Sequence, residues 1–184
     1  FLVLIQFNNF TILLALGSMP LAFTYPFMKR YTYWPHLFLG ITFIYGLILG
    51  WTSIVNEINV VPIILYIGAI FWTLGYDTIY GYQDIKDDEI IGLKSTSIKF
   101  KKNPKKFLYL CYSIFLISLV LIGYLMNFSK IYYLILIIII FQLYIFQLYK
   151  LNIKNSFICL KSFKSNNFLG LIILLSFVIG KINL

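Results

Sequence analysis

Negative charge is nearly missing from this chain: six of its 184 residues are acidic, against 15 Lys and Arg and a single His. Charge of either sign is scarce as well, at 11% where a soluble domain averages about 25%. Hydrophobic residues make up 61%, and the mean hydropathy is +0.90. A soluble globular core of this size cannot hide so much apolar surface, which excludes that class. Two cysteines, Cys111 and Cys159, are too few and too far apart for a disulfide framework or a thiolate metal site. Each reads as a small apolar filler. The chain opens inside an apolar run with no Met and no basic leader, whereas a cleavable signal peptide needs a charged start and a small-residue cleavage site. Phe1 reads as a position inside a helix, and the expectation is a fragment whose N-terminal part is missing.

What is abundant is apolar sequence in runs of roughly 20 residues, the length a helix needs to cross hydrocarbon. Membrane barrels alternate apolar and polar residues over short segments. The stretch from Ile131 to Phe141 shows no such alternation. The fold class is therefore an all-α, polytopic transmembrane helical bundle. Six spans are predicted, at about 1–24, 37–55, 60–82, 107–126, 131–149 and 167–183, in a single membrane domain covering 1–184.

The net charge of +9 does not point to nucleic acid, because the basic residues sit in short loops between spans. Lys29 and Arg30 lie in 25–36. Lys86, Lys94, Lys99, Lys101, Lys102, Lys105 and Lys106 lie in 83–106, and Lys150, Lys154, Lys161 and Lys164 in 150–166. These are 13 of the 15 basic residues, and all three loops fall on one side. Positive charge in short loops marks the cytoplasmic face, which orients the chain. The run Lys99 to Lys106 reads as a charge belt at the membrane surface.

Five of the six acids, Asp77, Asp84, Asp87, Asp88 and Glu89, cluster at the cytoplasmic end of the third span. Acids at a membrane boundary are costly unless solvated, paired or bound to a cation. On a continuous helix Asp84 and Asp88 each fall about 20° from Asp77, to opposite sides, and Tyr80 joins the same face. Asp87 falls on a different face. Like charges four residues apart repel, so this stripe implies a countercharge. Oxygen ligands without His or Cys favour magnesium or calcium over zinc. Magnesium takes one or two carboxylates and completes its shell with water and phosphate oxygens. A merely solvated acidic loop is the competing reading of the same residues.

The run Tyr76-Asp77-Thr78-Ile79-Tyr80, followed by Asp84, Asp87, Asp88 and then Ile91-Gly92-Leu93-Lys94-Ser95-Thr96, resembles the second aspartate-rich motif of the UbiA prenyltransferases. Tyr25-Pro26-Phe27-Met28-Lys29-Arg30-Tyr31-Thr32, with Pro35 shortly after, is similar to the loop before the fifth helix in the branch that prenylates 4-hydroxybenzoate. Phe163 to Gly170, with Asn166-Asn167, is a third match. The resemblance implies nine membrane helices, of which these six would be the last. It also implies a first aspartate motif, which this chain lacks, so the chain alone is expected to be inactive.

The resemblance further implies the chemistry: a polyprenyl diphosphate loses pyrophosphate, and the allylic cation alkylates 4-hydroxybenzoate on the way to ubiquinone. Its cofactor would be Mg2+, and its setting a bacterial or mitochondrial inner membrane. Asp77, Asp84 and Asp88 become candidate magnesium ligands and, with Tyr80, the candidate catalytic residues. Lys29, Arg30, Lys94 and Asp87 become candidate substrate contacts, with Arg30 suited to a planar carboxylate through its bidentate fork. Marking topology is the other reading of Lys29 and Arg30. Tyr25 and Tyr31 also read as interfacial anchors. His36 reads as a boundary residue and is left out of the site, and Trp34, Trp51 and Trp72 read as belt or packing residues. Two alternatives stay open: a family member with a haem or menaquinone precursor as acceptor, and a divalent-cation transporter using the acidic stripe. Transport sites, however, usually lie near the bilayer midplane.

Overall fold

The computed structural model describes residues 2–182, which are helical without a strand. Six helical spans are long and apolar enough to cross a membrane: Asn9–Tyr31, Pro35–Val55, Val60–Gly81, Pro104–Leu125, Lys130–Tyr149 and Ser156–Lys181. The chain is an integral membrane protein of the polytopic all-α class.

Local sequence sets where each helix starts. Asn8 accepts from Thr11 N and opens α1 (Asn9–Thr24), which leads into the one-turn α2 (Met28–Tyr31). Pro35 starts α3 (Pro35–Val55), where a missing N–H costs nothing. Asn59 caps α4 (Val60–Gly81). Two short helices follow outside the spans, α5 (Ile85–Ile91) and α6 (Thr96–Lys99), the latter capped by Ser95. Pro104 starts α7 (Pro104–Leu125). Next, α8 (Lys130–Ile140) widens into a π-helical stretch, Phe141–Tyr149. Asn155 accepts from Phe157 N and Ile158 N and opens α9 (Ser156–Lys181).

The last span departs from the expected 167–183. It starts at Ser156, so the predicted loop 150–166 shrinks, and Lys161 and Lys164 ride on helix. The reason is visible in the alternation: Ser162 and Asn166 are buried against the bundle while Lys161 and Lys164 stay exposed. Polarity on one side of that segment disguised a helix. The starts at 37 and 107 move back to Pro35 and Pro104.

The centre of the bundle is α4, packed on α3, α7 and α9; α1 lies on α3, and α8 on α9. Core side chains between α4, α7 and the last two spans include Leu74, Tyr112, Phe115, Leu119, Tyr132 and Leu169. Both cysteines are free and buried, as apolar fillers are. The three basic connections converge at one end. There Lys94 N donates to Lys29 O at 2.9 Å, and Lys105 Nζ donates to Tyr149 O at 3.0 Å. At the opposite end Ser129 N donates to Gly180 O at 2.9 Å.

Candidate functional site

The stripe Asp77–Tyr80–Asp84–Asp88 is not one helix. α4 stops at Gly81, where the chain leaves the apolar span and water can satisfy its backbone groups. Tyr82 N and Gln83 N fold back onto Ile79 O and Tyr80 O, and Asp84 becomes the residue before α5. Asp88 N bonds Asp84 O at 2.9 Å. The short helix ends at Gly92, whose φ of +77° suits glycine, and Leu93 N closes onto Asp88 O at 2.9 Å.

The broken path still delivers the residues to one place. A small cavity of about 100 Å³ is lined by Asp77 and Tyr80 from α4 and by Asp84 and Asp88 from the turn and α5. Tyr25 and Lys29 line it from the α1–α3 connection, and His36 from the first turn of α3. Asp77 is partly buried, Asp84 exposed and Asp88 intermediate. Tyr80 is 41% exposed, and its ring lies on Phe163 of α9 at 4.7 Å. Arg30 and Asp87 are exposed and do not line this cavity. Nor does Lys94, whose Nζ reaches Tyr31 O at 3.4 Å and lies 5.8 Å from the Tyr33 ring.

His36 belongs here, contrary to its exclusion on sequence. It is 5% exposed and contacts two elements far away in the chain. Nδ1 is 2.5 Å from Thr96 Oγ1, and Nε2 is 3.7 Å from Asp77 Oδ2. The hydroxyl chain assigns the proton. Thr78 Oγ1 donates to Leu74 O at 2.6 Å, which spends its one hydrogen. Thr96 must then donate to Thr78 across their 2.6 Å contact. His36 Nδ1–H therefore donates to Thr96, and Nε2 is the nitrogen that faces Asp77. Ser97 Oγ adds a bond to Thr78 O at 2.9 Å. Gly81 permits this crowding, since a Cβ there would collide with Ser97 Oγ and come within 3.2 Å of His36 Cε1.

The donor set is compatible with magnesium but not with a closed protein cage. Among the described residues no three His, Cys, Asp or Glu side chains converge tightly enough to hold an ion unaided. Carboxylates that share a cavity with a lysine suit an ion that completes its shell with water and phosphate oxygens.

The family model for the UbiA prenyltransferase family matches residues 1–172, and the chain belongs to this family. Over 180 residues it is 41% identical to the mitochondrial 4-hydroxybenzoate polyprenyltransferase of Drosophila melanogaster, covering 97% of this chain and 46% of that protein. The Bos taurus counterpart is 42% identical over 181 residues, covering 98% and 48%. A 4-hydroxybenzoate geranyltransferase of Lithospermum erythrorhizon is 39% identical over 183 residues, covering 98% and 59%. The chain spans about half the length of the curated polyprenyltransferases it matches. A solved structure of a digeranylgeranylglyceryl phosphate synthase superposes with a TM-score of 0.70 at 19% identity, covering 98% of this chain and 64% of that one. That likeness shows the same fold.

Proposed function

We propose that this chain supplies one wall of the active site of a membrane prenyltransferase that moves a polyprenyl group from its diphosphate to 4-hydroxybenzoate, a step toward ubiquinone. The observation that carries the reading is the cavity where Asp77, Asp84, Asp88, Lys29 and Tyr80 meet. The named activity of relatives about 40% identical along nearly the whole chain supports the same choice of acceptor.

Asp77, Asp84 and Asp88 would hold magnesium. When bound, the ion neutralises charge developing on the departing pyrophosphate. Lys29 adds a fixed positive charge on the same cavity, and such preorganised charge lowers the barrier without reorganising during the reaction. The allylic C–O bond breaks, a ring carbon of the acceptor forms the new bond, and that carbon then loses its proton. Tyr80 offers a phenol to a phosphate oxygen or to a carboxylate. The three basic connections at this end support a cytoplasmic or matrix orientation for it, where a diphosphate would be soluble while its prenyl tail lies between helices.

Because the curated polyprenyltransferases are about twice as long, the test is a chimaera in which this chain replaces the matching part of the Drosophila melanogaster protein. Membranes carrying it are incubated with geranyl diphosphate, labelled 4-hydroxybenzoate and Mg2+. Prenylated product that vanishes with Asp84→Ala is the expected result. Product that persists in that variant overturns the site assignment. Divalent-cation uptake that requires Asp84, without prenylation, would establish the transporter reading instead.

A further inference from the structure

Away from the acidic cavity, an apolar groove of about 540 Å³ opens beside the first turns of α7. Its aromatic wall comes from three separate parts of the chain. Phe100 and Phe107 stack at 3.9 Å, and Trp34 meets them edge-on at 5.7 and 6.3 Å. Leu110, 55% exposed, continues the wall toward Ser113. From Asn103 to Ser113 the groove follows about 15 Å of helix. That is half of the roughly 30 Å hydrocarbon thickness, the depth of one leaflet.

The polar end of the groove is basic. Lys106 and Asn103 line it, and the Lys99 ammonium sits 4.3 Å over the Trp34 ring. Both lysines are exposed. Among the described residues neither has a carboxylate partner, whereas Lys101 is paired with Glu89. An acyl-chain-length trough thus lies beside two ammonium groups that have no carboxylate partner among the described residues: Lys106 in its lining, and Lys99 over the Trp34 ring of its wall.

We propose that this groove is a binding site for an anionic glycerophospholipid, with an acyl chain along α7 and the headgroup phosphate between Lys99 and Lys106. Charge complementarity selects this occupant over a zwitterionic lipid, whose own ammonium would face the two lysines. The inference does not depend on the prenyl-transfer reading, because none of these residues lines the acidic cavity.

Trp34 reports on its own groove. The 184-residue chain is reconstituted with phosphatidylglycerol or phosphatidylcholine brominated on the acyl chains, and quenching specific to Trp34 is taken as wild type minus Trp34→Phe. Half-quenching is expected at about fivefold or more lower mole fraction of the anionic lipid, the scale set by one surface lysine. K99A/K106A should erase the preference. Equal quenching by both lipids, or a preference that survives K99A/K106A, overturns the proposal. So does recovery of Trp34 fluorescence on adding geranyl diphosphate, which would make the groove a substrate path. Should Trp34→Phe fail to fold, native mass spectrometry decides: phosphatidylglycerol retention should fall about fivefold for each exposed lysine removed, and unchanged retention rejects the site.

Discussion

The indole Nε1 of Trp72 donates to Oδ1 of Asn166 at 2.9 Å, and this one contact orients a buried network across four helical segments. An indole can only donate, so the other end of the Asn166 amide is NH2, and it donates to Ser162 O and Phe163 O. Gln147 Nε2 donates to the same Oδ1 at 3.0 Å, leaving Gln147 Oε1 to accept from Tyr112 OH at 2.6 Å. Phe163, whose carbonyl is held in this way, carries the ring that lies against Tyr80. The network connects the core of α4, α7, the π-helical stretch and α9 to one wall of the acidic cavity.

Asn166→Leu should therefore cost more than a surface change. It strands the Trp72 N–H and one donor of Gln147 in the bundle, and a stranded buried polar group costs about 1–3 kcal/mol. Hydrogen bonds in membrane bundles average less than that, about 0.6 kcal/mol, so the loss should lie toward the low end. Thermal unfolding in detergent should show a lowered midpoint for Asn166→Leu and little change for Asn167→Ala, whose side chain is exposed. Equal midpoints for both variants would refute the network's structural role.

Close approach of α4 and α7 rests on small residues, as is common where helices pack in lipid. A Cβ at Gly68 would overlap Ser118, and one at Gly75 would lie 2.6 Å from the Tyr112 ring. Gly46 and Gly50 on α3 have nothing within 4 Å of that position. Gly68→Ala and Gly75→Ala should destabilise by about 1–3 kcal/mol, the usual cost of overpacking. Gly50→Ala should be tolerated. The comparison is made by the same unfolding assay, and a midpoint for Gly68→Ala matching that of Gly50→Ala would contradict the packing.

The spans, the family and the acidic cluster were legible in the sequence because each rests on local pattern. Long apolar runs report helices directly, and closely spaced Asp77, Asp84 and Asp88 report a shared end of one span. The break at Gly81 was not legible, since three carboxylates at helical spacing look the same on one helix or on two. His36 was missed because its partners are remote: Thr96 lies 60 positions away and Asp77 on another span. Gln147 left a signal that went unused. A polar side chain buried inside an apolar span has to find a partner within the bundle, and of the two glutamines in this span Gln147 is buried and finds Tyr112, Ser165 and Asn166.

Thr96 sits in the middle of the chain from His36 to Leu74 O, so its hydroxyl should matter more than its methyl. Thr96→Val removes the acceptor for His36 Nδ1–H and the donor to Thr78 inside a fully buried cluster. A loss of about 1–3 kcal/mol is expected. Thr96→Ser keeps the hydroxyl and should recover most of it. If the serine variant is as unstable as the valine variant, packing of the methyl rather than the hydrogen-bond chain holds this corner together.

The assignment of roles around the acidic cavity predicts unequal effects from neighbouring carboxylates. In the chimaera, Asp84→Asn removes a carboxylate that lines the cavity, while Glu89→Gln removes one that is exposed and paired with Lys101. Loss of one group that stabilises developing charge costs about 10²–10³ in kcat. A surface ion pair is worth about 0–1 kcal/mol of stability and has no contact with that cavity. Asp84→Asn should therefore lower kcat by at least about 10², while Glu89→Gln stays near the parent. Both Asp84→Asn and Asp88→Asn should in addition raise the Mg2+ concentration needed for half-maximal turnover, because losing a proposed metal ligand weakens binding of the ion as well as the chemistry. Lys29→Met carries no metal role, so it should lower turnover without moving the Mg2+ dependence. Titrating Mg2+ against initial rates for these four variants separates the two roles, and an unshifted Mg2+ curve for Asp88→Asn would remove that residue from the metal site.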